Sequence, residues 1–262
     1  ISDDIDPAQT DDDFPQKQFN AVLYTGNGSS NAISGLGLKP DLVWGKSRSA
    51  SQSHRLYDSS RGGSSMLNSD TTNSAQTSST YMTSFDSDGF TYSSSGSNAN
   101  DSGVTYVAWC WRAGGGVTSS NTDGSITSTV QSSTSGGFSI CTYTGNGTNG
   151  ATFGHGLSAK PSFVIIKNRD ASQKWAVWHQ SMEQNDNKLL FLNESSGLTT
   201  EGTQRWDVSA ISNSVFGLGS HPEINGSGAD YVAYIWHDVE GMQRFGKYTG
   251  NGNADGPFVY TG

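Results

Sequence analysis

The chain carries few charges, and positive charge is the scarcer kind. Of its 262 residues only 15 are Lys or Arg, against 24 Asp or Glu, so the formal net charge is −9. Binding to a phosphate backbone requires a basic surface, and this composition argues against it. No apolar run approaches the roughly 20 residues of a membrane-spanning helix. We therefore expect neither a nucleic-acid partner nor membrane insertion.

Cysteine is nearly absent, and its two occurrences give little basis for a disulfide. When the two similar halves of the chain are aligned, Cys110 corresponds to Ile235 and Cys141 to Val22. A cysteine that exchanges with a branched aliphatic residue behaves as a small buried hydrophobe. We expect two free thiols in the core, and the redox compartment stays open.

The residues that are abundant favour strands joined by turns. The chain has 33 glycines, many Ser and Thr residues, and 11% aromatic residues. This composition is poor for helices and suits β-structure. Short alternating apolar runs are separated by Gly, Asn and Ser throughout. The pattern predicts an all-β fold of tandem antiparallel β-sandwich or jelly-roll modules.

One pentapeptide, Tyr-Thr-Gly-Asn-Gly, occurs three times and reveals an internal repeat. Its copies are Tyr24–Gly28, Tyr143–Gly147 and Tyr248–Gly252. Tyr24 precedes Tyr143 by 119 residues and Tyr143 precedes Tyr248 by 105, whereas solenoid repeats span roughly 20 to 50 residues. Units of this size can each bury a core, so we expect independent modules arranged as beads on a string.

The repeat divides the chain into five segments. They are an acidic lead-in (1–18), a first β-sandwich module (19–116), a Gly/Ser/Thr linker (117–137), a second β-sandwich module (138–241) and the start of a third module (242–262). The linker contains one further strand candidate, 125–130. Because the chain opens without Met and the third copy stops early, we expect it to be part of a longer polypeptide.

The pentapeptide itself has two possible interpretations. Its glycines are compatible with a phosphate-binding loop, but such a loop opens a helix, and here a Ser/Asn-rich stretch follows. Asn-Gly after alternating residues is a hairpin-turn signal, because both residues tolerate positive φ. We therefore interpret the pentapeptide as a hairpin turn.

A short acidic stretch is a candidate metal site. Asp86 and Asp88 alternate and are followed by Gly89, as in calcium-binding loops. The aligned residues of the second unit, 212–215, carry no carboxylate, so a metal shared by both modules is not expected. An isolated Ca²⁺ site in the first module and a plain Asp/Gly turn are the two alternatives; no other cofactor is expected.

Catalytic patterns do not recur between the units. Asp58 aligns with His179 and Asp41 with Ser162, so no carboxylate pair of the glycosidase kind is repeated. The histidines lack metal-ligand spacing, and no Gly-x-Ser-x-Gly elbow precedes a helix. We do not expect an enzyme.

Tryptophan is the most promising binding residue. Trp109 and Trp111 lie two apart in a strand and share one face with Val107, while Tyr106, Ala108 and Cys110 share the other. A sandwich buries one face of each sheet, and exposed aromatic rings stack on sugar rings. The candidate glycan-binding residues are Trp109, Trp111, Trp178 and Trp236. The alternative for each is a place in the core.

Several of these motifs together resemble a repeat found in structural proteins of marine tailed phages. They are Val22–Gly28, Lys39–Trp44, Ser84–Phe90 and Tyr106–Trp109 in the first unit, and Val164–Arg169, Asn225–Gly228, Asp238–Gly241 and Gly252–Gly262 in the rest of the chain. The resemblance covers nearly the whole chain. It implies a virion structural protein, often tail-fibre-like, with concanavalin-like sandwich modules and no defined activity.

The repeat array and this resemblance lead to three functional hypotheses. The first is a tail fibre or appendage that displays modules for binding host-surface glycan, where serial display raises avidity. The second is a head decoration or knob protein with a purely structural role. The third is a tailspike that degrades polysaccharide. In each case we expect a virion location, other virion proteins as partners and a homo-oligomer, which is a trimer if the protein is a fibre.

Overall fold

The computed structural model describes residues 14–93, 98–182, 186–200 and 204–260. In these ranges the chain is nearly all β and forms antiparallel sheets, which confirms the predicted fold class. The finer jelly-roll or concanavalin-like assignment stays a prediction. Most of the acidic lead-in, residues 1–13, lies outside the described residues. No helix among the described residues is long and apolar enough to span a membrane.

The first module is a sandwich of a large and a small sheet. Its elements are α1 (Pro15–Gln18), β1 (Phe19–Thr25), β2 (Asn31–Ile33), β3 (Leu42–Ser47), β4 (Arg55–Asp58), β5 (Ser65–Asn68), β6 (Gln76–Thr77), β7 (Met82–Asp86), β8 (Gly89–Tyr92) and β9 (Thr105–Trp111). The large sheet has the order β1-β9-β3-β4-β5-β6, and the small sheet has the order β2-β8-β7. The chain's first long strand therefore pairs with the module's last.

The second module repeats this plan. Its elements are β10 (Ser119–Asn121), β11 (Ser128–Ser133), β12 (Phe138–Thr144), β13 (Ala151–Gly154), β14 (Phe163–Asn168), β15 (Ala176–His179), a 3₁₀ turn (Gln180–Met182), β16 (Lys188–Phe191), β17 (Thr199–Thr200), β18 (Val215–Leu218), α2 (Pro222–Asn225) and β19 (Asp230–Trp236). The large sheet has the order β10-β11-β12-β19-β14-β15-β16-β17, and β13 pairs with β18.

The segment predicted as a linker, 117–137, contributes two strands to the second module. β11 pairs with β12 from Ser128↔Tyr143 to Ser133↔Phe138, and β10 pairs with β11. The strand candidate at 125–130 overlaps β11. Serine and threonine are compatible with an edge strand, and composition alone did not separate that role from a spacer. The segment is therefore part of a sheet.

Each module has its own core between its large and small sheets. In the first module the core includes Ala108 and Cys110, and Tyr106, on the same face of β9, is buried as well. In the second module the corresponding core includes Cys141 and Trp178. Both cysteines are buried and free, as predicted.

A third apolar cluster joins the two modules. It combines Leu42, Leu56 and Leu67 of the first large sheet with residues of the second, such as Ile140 and Val232. These side chains lie on the outer faces of the large sheets, that is, the faces turned away from the small sheets. The two large sheets thus pack face to face. The expectation of independent beads is wrong, because each large sheet is apolar on both faces.

A buried polar cluster lies in this contact. Arg61 Nε donates to Asp58 Oδ2 at 2.6 Å, and the Tyr234 hydroxyl donates to the same oxygen at 2.7 Å. The side chains of Arg61 and Asp58 are 1% and 0% exposed. Burial opposes the charge on Arg61, but the electrostatic interactions and hydrogen bonds with Asp58 and Tyr234 together outweigh it, so the pKa of Arg61 is raised. Tyr234 thereby ties the second module to an ion pair of the first.

The pentapeptide forms the same contacts in the first two modules. The amide of Gly28 donates to the carbonyl of Asn100 at 2.8 Å, and that of Asn27 donates to the Asn100 side chain at 3.1 Å. In the second module Gly147 and Asn146 donate to Asn225 in the same way, at 3.0 and 2.9 Å. We call this arrangement the Asn clasp.

The tyrosine that opens each pentapeptide completes the clasp. The Tyr24 hydroxyl donates to the carbonyl of Ala99 at 2.8 Å, and its ring stacks on Tyr106 at 5.1 Å. Tyr143 does the same with Ile224 and Tyr231, at 2.7 and 5.1 Å. The strands before and after the pentapeptide belong to different sheets, so the predicted hairpin is wrong. The pentapeptide is a crossing between sheets, and Asn-Gly supplies its turn.

The third copy has the turn but no clasp among the described residues. Gly252 has a φ of 69°, close to the 71° of Gly28 and the 70° of Gly147. No atom outside the local chain lies within 4 Å of a side chain built at Gly250 or Gly252, and Tyr248 is 70% exposed. The turn conformation is therefore local, whereas the clasp requires the rest of a module.

The pair Gly26 and Gly250 tests the clasp. A Cβ at Gly26 would collide with the backbone carbonyl of Asp101, whereas one at Gly250 meets nothing. We expect Gly26→Ala to lower the free energy of unfolding by about 1–3 kcal/mol, because backbone must move. Gly250→Ala should change it by less than about 0.5 kcal/mol. Urea unfolding followed by tryptophan fluorescence measures both; equal effects would contradict the clasp.

The buried ion pair yields a second prediction. Arg61→Leu leaves the Asp58 carboxylate buried without its charged partner, so the free energy of unfolding should fall by about 3–5 kcal/mol. Tyr234→Phe removes two hydrogen bonds, the one that the hydroxyl donates to Asp58 and the one that it accepts from Arg61 at 3.2 Å, and should cost about 1–2 kcal/mol. The double variant Asp58→Leu/Arg61→Leu should regain much of the loss. A loss below about 1 kcal/mol for Arg61→Leu in urea unfolding would rule out the proposed role of the pair.

Candidate functional site

Two of the four predicted glycan-binding tryptophans are buried. Trp178 is 0% exposed in the core of the second module, where it packs edge-on against Phe216 at 5.5 Å. Trp236 is 3% exposed and packs between the modules, 5.8 Å from Trp111. A sugar ring needs an accessible indole face, so the binding role predicted for these two residues is wrong. Sequence did not show that the first module covers the outer face of the second.

The other two predicted tryptophans lie together on an uncovered surface. Trp109 and Trp111 are half-buried on the outer face of β9, opposite the core side chains, as the alternation predicted. The strand register places Trp44 beside Trp109 and Phe19 beside Trp111. The ring centroids are 6.4 Å apart in the first pair, edge to face, and 4.8 Å apart in the second.

These four aromatic residues form what we call the aromatic shelf. Together with His54 they line an open cavity of about 380 Å³. The indole Nε1 of Trp44 donates to Ser69 Oγ at 3.1 Å, which fixes that ring. Among the described residues no acceptor contacts the indole N–H of Trp109 or Trp111, so both donors remain available. Phe19 and Trp44 were not predicted. The available signal was alternation, because Trp44 is adjacent to the core residue Val43 and Phe19 lies three residues before Val22, which packs on the same core.

The shelf continues along the exposed face of β1. Phe19 is 38% exposed and Leu23 is 62% exposed. Ala21 lies between them on the same face, opposite Trp109 in the register. The surface is apolar beyond the aromatic rings and is continuous across β1, β9 and β3. A patch of this kind is typical of a site of contact with another molecule.

The chain matches one family over almost its full length. A family model described as "Domain of unknown function (DUF7483)" matches residues 14–262. The chain belongs to this family. No curated protein and no solved structure matches it significantly. The match extends across both modules and into the third copy, so the face-to-face pair described above falls inside a single family domain.

The predicted calcium ligands, Asp86 and Asp88, accept hydrogen bonds from neighbouring segments of the chain. Asp88 accepts hydrogen bonds from the amides of Gly35 and Gly37, at 2.9 and 2.6 Å, and these bonds lower its pKa. Asp86 accepts from the hydroxyl of Thr91 at 2.7 Å. Among the described residues no group of three or more potential metal ligands comes together. Both carboxylates thus accept hydrogen bonds from neighbouring segments, and the Ca²⁺ site at Asp86 and Asp88 stays a prediction.

The second module buries two ionisable groups at its faces. The Lys167 ammonium is fully covered and donates to the carbonyls of Thr72 and Asn168, at 3.1 and 2.8 Å. Burial lowers its pKa to about 8. His155 is 0% exposed; its Nδ1 accepts from Leu157, and burial lowers its pKa to about 4. Neither group lines the aromatic shelf. Lys167 donates hydrogen bonds to backbone carbonyls, and His155 accepts one from a backbone amide.

His155 gives a pH prediction with a definite sign. Its folded pKa lies below the ordinary value of 6.5, so between pH 6.5 and 4 the unfolded state binds the proton that the folded state excludes. The free energy of unfolding should therefore decrease as the pH is lowered through this window, by up to about 3 kcal/mol from this residue. His155→Gln, which does not titrate, should show a shallower fall. Denaturant unfolding at several pH values checks this, and parallel curves would refute it.

Proposed function

We propose that this protein is a virion protein of a tailed phage, placed on a tail fibre or similar appendage, and that it binds host-surface glycan through the aromatic shelf. The observation that carries the proposal is the open shelf on β1, β3 and β9. The resemblance of the repeat motifs to phage structural proteins supports the virion location. Other virion proteins and a second or third copy of the chain are the expected partners.

The chemistry of the shelf suits a sugar. The apolar faces of pyranose rings pack on indole rings, and Trp109 and Trp111 present rings on one surface. Their unpaired indole N–H groups can donate to sugar hydroxyls, which an apolar partner would not satisfy. Binding at one shelf is expected to be weak, and an oligomer would raise the avidity.

A separate observation favours the alternative of a head decoration or knob protein with a purely structural role. The C-terminal segment exposes four large apolar side chains: Tyr248 (70%), Phe258 (92%), Val259 (47%) and Tyr260 (69%). Such a segment favours packing against another protein, as a head decoration or knob would require. The tailspike alternative gains no comparable support, because the residues that line the shelf cavity include no carboxylate.

Truncation of the shelf tests the proposed function. Trp109→Ala should lower the affinity for host cells or for an arrayed glycan at least about tenfold, because a central aromatic contact is lost. Tyr248→Ala removes an exposed ring outside the shelf and should leave glycan affinity unchanged. Biolayer interferometry on glycan-coated sensors and a cell-adsorption assay measure both.

Two outcomes would overturn the proposal. One is the absence of binding to any glycan or host cell by the wild-type protein presented on beads. The other is equal affinity of wild type and Trp109→Ala, provided that both unfold at the same urea concentration. Labelling of virions with an antibody to the protein separates tail from head, and a head label would favour the decoration alternative.

A further inference from the structure

Basic side chains lie at one end of the aromatic shelf. Lys46 follows Trp44 by two residues on β3, so both project from the same face, about 7 Å apart along the strand. The pairing of β3 with β4 runs through Gly45↔Arg55, which places His54 next to Lys46. Arg48, just after β3, is exposed. The shelf is therefore apolar at one end and cationic at the other.

These cations have no internal partner in the part of the chain that the structure describes. Within the described residues, neither the Lys46 ammonium nor the Arg48 guanidinium forms an ion pair or hydrogen bond. The acidic group at this end is Asp70, whose Oδ1 accepts from the backbone amide of His54 at 3.1 Å. Partial burial and the charge of Lys46 lower the pKa of His54, and Asp70 acts in the opposite direction. On a chain of net charge −9, this end is a local exception.

The second module shows what the same positions can hold. Lys167 is the repeat counterpart of Lys46, and Trp175 is the counterpart of His54. Lys167 Nζ donates to the carbonyl of Thr72 at 3.1 Å, and Trp175 Nε1 donates to the carbonyl of Asn68 at 2.8 Å. The end of β5 and the residues that follow it thus supply oxygen acceptors to this part of the face. At the equivalent position of the first module, no acceptor among the described residues contacts the Lys46 ammonium.

We propose that the shelf is specific for an anionic glycan. Sugar rings stack on Trp109 and Trp111, and a carboxylate or sulfate group of the glycan lies against Lys46, with Arg48 adding attraction over a longer range. The inference rests on the proposed glycan-binding function and adds the substrate class. Because the net charge of the chain repels an anionic polymer, the cationic end also fixes where and in which direction the glycan docks.

Pairs of oligosaccharides that share a backbone but differ in charge test the inference on the whole chain. One pair is polygalacturonate oligosaccharides and their methyl esters, in which a methyl group replaces the carboxylate charge. The other is sulfated carrageenan oligosaccharides and the same oligosaccharides after chemical desulfation. We expect the wild-type protein to bind the charged member of at least one pair about tenfold more tightly, with a preference that shrinks in 0.5 M NaCl. The pair that shows the preference identifies carboxylate or sulfate.

Substitution of Lys46 separates the preference for charged oligosaccharides from glycan binding in general. Lys46→Gln should lower affinity for the charged oligosaccharide about five- to tenfold and change affinity for the neutral one less than twofold. Lys247→Gln, which removes an equal charge from the C-terminal segment, should change neither. Trp109→Ala should weaken both. Urea unfolding of Lys46→Gln confirms that the variant is folded.

The outcomes distinguish this inference from the function on which it rests. Equal binding of both members of each pair, or an unchanged preference in Lys46→Gln, overturns anionic specificity and leaves glycan binding intact. Absence of binding to all four oligosaccharides and to host cells overturns both proposals.

Discussion

The fold depends on the face-to-face contact of the two large sheets. Leu42 and Val43 are neighbours in β3 and so point to opposite faces, yet both are fully buried. Val43 belongs to the core of the first module, and Leu42 belongs to the cluster between the modules. A large sheet with two apolar faces needs a cover on each, and each module has only one small sheet. The second module is the missing cover, so the array is one packed body.

The candidate site exists because this cover is incomplete. Trp111 touches Trp236 at the edge of the contact, and beyond it Trp109 and the face of β1 are left open. The counterpart of Trp109 in the second module is Tyr234, which is 0% exposed and hydrogen-bonded to Asp58. Equivalent positions of one repeat thus have different roles, a structural tie in one module and an accessible ring in the other. The offset between the two large sheets determines which of these roles each position has.

Internal repetition was informative where the structure is local or confined to one module. Alternation of exposed and half-buried side chains is clearest along β1, because a strand with one covered face has a period of two. The same signal is absent from β2, which has three residues. A strand of that length carries too few side chains for a periodicity. The shelf was half predicted: alternation gave Trp109 and Trp111 a shared face, but not Phe19 and Trp44 as neighbours.

The sequence by itself determined the β class, the repeat, the two free buried cysteines and the positive-φ turn of each pentapeptide. These follow from local alternation, from Asn-Gly geometry and from exchange between repeat units. Only the tertiary structure decided that the modules pack together, that Asp58 and Arg61 meet Tyr234, and which tryptophans stay accessible. Those outcomes depend on contacts between residues more than 100 positions apart, and no periodicity in the chain encodes how two apolar sheets are offset.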